Sequence, residues 1–224
     1  MATFVLVPGG WQGGWVYEAL AEILVAHGHE VVPMTLSGLG SIPAPTANLD
    51  VHVAEVVEAV EAAGDDVVLV GQSYGGMVVS GAADAAPARL RALVYVDAYV
   101  PDPGDSVWSL TTQAFRELFV AGVSEDGLNC APPAGSDPRC RPHPMGAFLQ
   151  SIKLSGRWRE VPSKIFVGAF GWSGSPFHDL FHRLSEEPDW TTVAVDCGHN
   201  VAKLQPEMLA RILLAQVPLS DAGR

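Results

Sequence analysis

The feature that most narrows the fold is a glycine-rich turn set between two apolar segments. Val67-Val68-Leu69-Val70 is a continuous apolar run, Gly71-Gln72-Ser73-Tyr74-Gly75-Gly76 follows it, and a helical pattern occupies Tyr74 to Ala86. A strand with no polar alternation is one buried on both faces, as in a parallel sheet covered by helices. Strand, G-x-S-x-G turn and helix in that order describe a nucleophile elbow, where flanking glycines permit a sharp turn and leave the serine projecting above the sheet. A glycine-rich turn with an incidental serine would need neither flank.

The same alternation continues around it. Phe4 to Val7 reads as a buried strand ending in the loop Pro8-Gly9-Gly10-Trp11. Trp15 to His27 reads as a helix closed by Gly28, Glu30 to Leu36 as a strand, His52 to Ala63 as a helix and Leu93 to Val96 as a strand. Units of this kind predict an α/β fold with a mostly parallel central sheet and helices on both faces. From Pro101 to Pro162 the pattern gives way to a stretch rich in Pro, Gly, Ser and Asp, with a short helix over Thr112 to Ala121. Strand signals return at Lys164 to Val167 and Thr192 to Val195, and Pro206 opens a last helix reaching Gln216. Residues 1–100 and 163–224 are therefore expected to form one core, with 101–162 inserted as a lid.

Apolar residues make up 48% of the 224 and charged residues 17%, which excludes disorder and low-complexity roles. Thirteen basic against 25 acidic residues give a net charge of −12. That charge repels a phosphate backbone or an anionic membrane surface, so neither nucleic acid nor membrane is an expected partner. It is compatible with a monomer or a homodimer. Three cysteines make no disulfide framework, and Cys130 and Cys140, which flank a Pro-rich loop, are expected as free thiols. Met1-Ala2-Thr3 runs straight into Phe4-Val5-Leu6-Val7 without a basic n-region or a cleavage pattern. The run ends at Pro8, far short of the ~20 residues that span a bilayer, and a cytoplasmic location is expected.

A serine alcohol is a weak nucleophile and needs a base. Among seven histidines, His199 stands in Asp196-Cys197-Gly198-His199-Asn200, after the last strand and before the last helix, at the carboxyl edge of the sheet that also carries Ser73. His27 and His29 straddle a helix end at the opposite edge, and His52 opens a helix face expected to be solvated. His178 and His182 share the i, i+4 spacing of a zinc pair. The intervening Asp179 is shorter than the usual glutamate and no third ligand accompanies them, so an ordinary amphipathic helix and no metal are expected. Backbone donors for an oxyanion belong beside the nucleophile and in the loop after the first strand, which points to Tyr74 and Gly10. Neither this loop nor Gly38-Leu39-Gly40 spells a dinucleotide fingerprint.

These stretches, with Leu36-Ser37-Gly38-Leu39-Gly40, Leu93-Val94-Tyr95-Val96-Asp97-Ala98-Tyr99-Val100-Pro101 and Gly198-His199, resemble the α/β-hydrolase superfamily. Within it the chain is similar to the branch of plant methylesterases, hydroxynitrile lyases and bacterial pyrethroid-hydrolase-like carboxylesterases. Pro8 stands where that branch has a histidine after the first strand, and Gln72 where its elbow has another. Its acid usually follows the strand corresponding to Ile165–Val167, yet no Asp or Glu lies between Lys164 and Phe177. Asp97 ends a strand at the same edge as Ser73 and His199, where haloalkane dehalogenases carry their acid, and is the preferred orienting carboxylate. Asp179 and Asp196 are the alternatives.

The resemblance implies a cofactor-free serine hydrolase cleaving carboxylic esters of aryl or alkyl groups through an acyl-enzyme, with Ser73, His199 and Asp97 catalytic and Gly10 and Tyr74 as the oxyanion hole. Trp11, Trp108, Phe115, Phe119, Met145, Phe148 and Trp158 are expected to supply an apolar pocket for a small-molecule ester. A hydroxynitrile lyase would imply a threonine and a lysine where Gly9 and Asn200 stand. A non-catalytic small-molecule receptor on the same scaffold is the remaining alternative.

Overall fold

The computed structural model describes residues 1–217; the last seven residues of the expected core, 218–224, lie outside the described residues. Six parallel strands form the central sheet: β1 (Thr3–Val7), β2 (Glu30–Pro33), β3 (Val67–Gln72), β4 (Leu90–Val96), β7 (Ser163–Ala169) and β8 (Trp190–Val195). Between β4 and β7 lies a separate two-stranded hairpin, β5 (Asn129–Cys130) with β6 (His143–Pro144). The order in the large sheet is β2-β1-β3-β4-β7-β8. The chain leaves β1 towards one edge and, from β3 onwards, builds towards the other. The crevice above β1 and β3 is thus the switch point where such folds place their sites.

Successive strand residues point to opposite faces, and the two cores divide accordingly. Val5, Val7, Leu69, Leu93, Tyr95 and Phe166 pack under α2 (Leu49–Ala63), α3 (Gly75–Ala85) and α7 (His178–Ser185). Phe4, Leu6, Val68, Val70, Val94 and Val167 pack under α1 (Glu18–Ala26) and α9 (Pro206–Leu214), which follows the short α8 (Val201–Leu204). Four of the strands are buried almost throughout, which is why they read as unbroken apolar runs rather than alternating ones.

Several boundaries move for local reasons. The helix expected from Trp15 begins as a 3₁₀ turn over Gly14–Tyr17 before α1. The strand expected to reach Leu36 stops at Pro33, which has no N–H and sits on the unpaired side of this edge strand. Met34 N–H still donates to the Leu6 carbonyl (2.9 Å), after which the Thr35 hydroxyl accepts from Gly14 N–H (2.8 Å) instead of the chain extending the ladder. The second helix starts three residues earlier than periodicity predicts, since Asn48 caps it by accepting the Val51 N–H at 3.0 Å. His52 lies on the buried Leu49, Val56 and Val60 face of this helix. It is fully buried, not solvated, and bridges the Tyr74 hydroxyl (2.7 Å) and the Ser37 carbonyl (2.9 Å).

The inserted segment adds no strand to the large sheet. It holds α4 (Val107–Leu110), α5 (Gln113–Gly122), the β5–β6 hairpin, α6 (Met145–Leu149) and a 3₁₀ turn over Arg157–Glu160. Cys130 is buried and Cys140 half-buried, and both are free thiols. Among the described residues no helix is long and apolar enough to cross a membrane.

The elbow is held by close backbone packing. A Cβ on Gly76 would lie 2.1 Å from the Tyr99 carbonyl oxygen, and one on Gly75 would lie 2.5 Å from that of Val7. Both obstacles are backbone anchored in or beside the sheet and cannot swing aside. Gly76→Ala is therefore expected to destabilise the fold by more than about 3 kcal/mol in urea unfolding, beyond ordinary overpacking. A loss under about 1 kcal/mol would show that the helix start can shift freely, contrary to this packing.

Candidate active site

Three consecutive strands of the sheet end in strained residues at one edge. Trp11 after β1, Ser73 after β3 and Asp97 after β4 have φ of 64°, 53° and 45°. L-residues avoid this region, and side chains held there concentrate at functional sites. Ser73 is fixed from three directions: its N–H donates to the Val96 carbonyl (3.3 Å), and its carbonyl accepts from Gly76 N–H (3.0 Å) and Tyr99 N–H (3.2 Å). The first-strand loop lies directly against it, since a Cβ on Gly9 would stand 3.1 Å from the Ser73 Cβ. Ser73 Oγ, Gly10 N–H and Tyr74 N–H enter no hydrogen bond among the described residues, so one hydroxyl and two backbone donors stay unspent around this crevice.

The parallel ladder places Asp97 beside β7. Its N–H donates to the Val167 carbonyl at 2.7 Å, and its fully buried carboxylate accepts three hydrogen bonds. Oδ1 takes the Ala169 N–H (3.2 Å), and Oδ2 takes the Trp172 indole N–H (3.2 Å) and His199 Nδ1 (2.6 Å). Because the carboxylate only accepts, Nδ1 carries a proton, and in the neutral ring Nε2 is then the nitrogen with the free lone pair. The ring of His199 is flanked by Trp172 at 5.1 Å and by Phe177 at 5.9 Å, the latter nearly parallel at 14°. Asp179 on α7 and Asp196 after β8 are both exposed, and neither hydrogen-bonds to His199.

Residues to which sequence reasoning gave no role complete the frame. Gln72, just before Ser73, donates from Nε2 to the His199 carbonyl (3.2 Å) and to Asn200 Oδ1 (3.0 Å). Gln12 donates to the same Asn200 oxygen at 2.9 Å. Where the resemblance predicts a histidine in the elbow, a glutamine amide thus ties the loop of His199 to the turn of Ser73. Trp172 lies in the loop whose missing carboxylate was conspicuous, and supplies an N–H donor to the carboxylate that β4 provides instead. No periodicity or motif marks either role; only the adjacency of β3, β4, β7 and β8 creates it.

Of the expected pocket residues, Trp11, Phe119 and Phe148 cluster over the first-strand loop, with Trp11–Phe148 at 5.5 Å and Phe119 stacked on Phe148 at 4.6 Å. Met145 is buried at the start of α6. Phe115 reaches Trp172 at 6.5 Å, edge to face, and Trp108 packs partly buried nearby, its carbonyl taking the Arg116 Nε–H (2.8 Å). Trp158 is different. It packs 6.2 Å from Trp190 at the amino end of β8, in a turn tied to Asp84 at the far end of α3, away from the edge that carries Ser73. Its assignment to the pocket is corrected: the 3₁₀ turn leading into β7 begins at the opposite end of the sheet.

His178 Nε2 bonds the Ala169 carbonyl (3.0 Å), and its ring lies on Phe170 at 4.5 Å. Among the described residues no three His, Cys, Asp or Glu side chains gather as a metal would require.

Known proteins resemble the chain throughout. The alpha/beta hydrolase family matches residues 4–212. A carbendazim hydrolyzing esterase from a Nocardioides species is 35% identical over 240 residues, covering 96% of this chain and 99% of that protein. An alpha-hydroxynitrile lyase of Arabidopsis thaliana is 33% identical over 104 residues, covering 44% and 40%. Among solved structures, an extracellular alpha/beta-hydrolase from a Paenibacillus species superposes with a TM-score of 0.81 at 19% identity, over 98% of this chain and 100% of that one. A pyrethroid hydrolase from Sphingobium faniae superposes at 0.73 and 20%, over 96% of each. With the family matched over nearly the whole sequence and the elbow standing on its parallel sheet, the chain belongs to the alpha/beta hydrolase family.

Proposed function

We propose that the protein is a serine carboxylesterase that works through an acyl-enzyme on Ser73. The observation that carries this reading is the 2.6 Å hydrogen bond from His199 Nδ1 to the buried Asp97 carboxylate, on the sheet edge that holds Ser73 in a strained turn. Asp97 orients the imidazole and stabilises its charged form, leaving Nε2 to take the Ser73 proton as Oγ attacks the ester carbonyl. The nucleophile–base contact is often long until substrate docks. Gly10 and Tyr74 N–H groups, both unspent, receive the oxyanion. The imidazolium then protonates the departing alcohol, and water repeats the sequence to release the acid.

Esterase-type chemistry is supported by the 35% identity to an esterase over almost the full chain. An apolar acyl or leaving group is supported by the aromatic side chains around the crevice. It is supported too by a cavity of about 250 Å³ whose walls are mostly apolar, with Tyr99, Val100, Leu110, Phe177 and Leu180 among them, and with Asp179 and Arg183 as its charged lining. Phe177 joins that cavity to the His199 ring, and Tyr99 joins it to the Ser73 carbonyl. Residues 101–162, which contribute Leu110, Phe115, Phe119 and Phe148, act as the lid. No cofactor enters the scheme.

Turnover of a short-chain p-nitrophenyl ester, together with covalent labelling by a fluorophosphonate, tests the reading. Both are expected, with labelling blocked by prior acylation. Cleavage of a cyanohydrin without ester turnover would replace the esterase by a lyase, and binding without either reaction would leave a receptor.

A further inference from the structure

Trp11 is held in its left-handed conformation by contacts from one stretch of the inserted segment. Its N–H donates to His143 Nδ1 (3.2 Å), its carbonyl accepts from Arg141 N–H (2.9 Å), and its indole N–H donates to the Cys130 carbonyl (2.9 Å). Cys130 and His143 are register partners across the β5–β6 hairpin, so the hairpin grips the residue that follows Gly10 by its backbone and its side chain. Gly10 itself has no side chain to fix its peptide, and the direction of its N–H depends on what holds the neighbouring peptide.

We propose that His143 is a positioning residue for the oxyanion hole, its neutral Nδ1 holding the Trp11 N–H and thereby aiming the Gly10 N–H at the crevice above Ser73. The inference rests on the reading of Ser73 as nucleophile. His143 is fully buried and clamped: its ring lies parallel to Phe148 at 4.1 Å and 3°, and edge-on to Tyr74 at 4.6 Å. Phe148 in turn closes over the loop, its Cζ standing 3.1 Å from where a Gly10 Cβ would be. A peptide N–H can only donate, so Nδ1 is unprotonated and the ring's single proton sits on Nε2. Burial holds the ring well below its ordinary pKa, with His52 nearby adding to the effect, which keeps that acceptor available. Nε2 is buried and has no hydrogen-bond partner among the described residues. For packing alone a phenylalanine would serve better, since it would stack on Phe148 without burying an unpaired donor. What histidine adds at this position is the acceptor at Nδ1.

The test compares His143→Phe, which keeps the stack and loses the acceptor, with His143→Asn, whose amide oxygen can occupy the place of Nδ1. With p-nitrophenyl butyrate, His143→Phe is expected to lower kcat by about 10²-fold, the order of losing one oxyanion donor, with KM changed less than about threefold. Affinity for a trifluoromethyl ketone, whose adduct places an oxyanion in the hole, should fall by the same factor as kcat/KM. His143→Asn should recover kcat to within about tenfold of the natural protein. Undiminished kcat in folded His143→Phe overturns the proposal, as does a loss that Asn does not rescue and that leaves ketone binding intact. If His143→Phe does not fold, the smaller apolar His143→Leu, which also removes the acceptor, must show the same paired loss; natural kcat in that variant also overturns it. Natural protein that neither turns over the ester nor binds the ketone defeats the Ser73 reading, and this inference falls with it.

Discussion

Ser73→Ala is expected to lower ester turnover by about 10⁶ in kcat while leaving the melting temperature within a few degrees of the natural protein. The first half rests on the proposed role of Ser73 as nucleophile; the structure supports the second. Ser73 Oγ bonds no other group among the described residues, so its removal orphans no buried partner, and alanine at φ 53° is no more strained than serine. On the proposed mechanism, the activity that survives is what the oxyanion donors and substrate binding would achieve with water alone, a factor of about 10³–10⁴ over the uncatalysed reaction. Fluorophosphonate labelling should vanish with it. Retention of more than about a tenth of natural activity would mean that another group is the nucleophile, since no residual mechanism reaches that level.

Asp97→Asn is expected to cost about 10⁴ in kcat, the effect of presenting the histidine with the wrong tautomer. The geometry explains why asparagine cannot substitute. The carboxylate accepts from Ala169 N–H on one oxygen and from Trp172 Nε1 and His199 Nδ1 on the other. An amide has one oxygen. If it faces His199 and Trp172, its NH₂ group opposes the Ala169 N–H. If it faces Ala169, the NH₂ group opposes the indole and drives the imidazole proton to Nε2, where it blocks the base. Either arrangement leaves buried donors opposed, worth about 1–3 kcal/mol of stability. Backbone strain is not the issue, because asparagine accepts φ of 45° as readily as aspartate. Asp179→Asn and Asp196→Asn, both at exposed carboxylates, should stay within a few-fold of natural kcat. A ranking in which either exceeds Asp97→Asn would reassign the orienting acid; paired kcat measurements on the three variants decide it.

The α/β fold was legible in the amino-acid sequence because its signals are local. An unbroken apolar run marks a strand buried on both faces, and glycines on either side of Ser73 mark a turn too tight for side chains, so β1, β3, β4 and the elbow could be read without tertiary information. His199 could be singled out because its glycine precedes a helix after the last strand. Tertiary structure alone decided the surroundings. Strand order sets β4 between β3 and β7, and this brings the Trp172 indole and the Ala169 N–H to the Asp97 carboxylate from a loop over 70 residues away. His52 and His143 were illegible for the same reason. His52 lies on the same stripe as the buried Val56 and Val60, but its partners Tyr74 and Ser37 come from other elements, and whether the hairpin face that carries His143 is wet depends on what the closed fold lays over it. Trp158 shows the converse error: an aromatic in the inserted segment looked like pocket, but composition cannot say at which end of the sheet a connection returns. Local sequence specifies conformation through sterics and periodicity, whereas the partners of a buried polar group are specified by which distant backbone the closed fold brings within hydrogen-bonding distance.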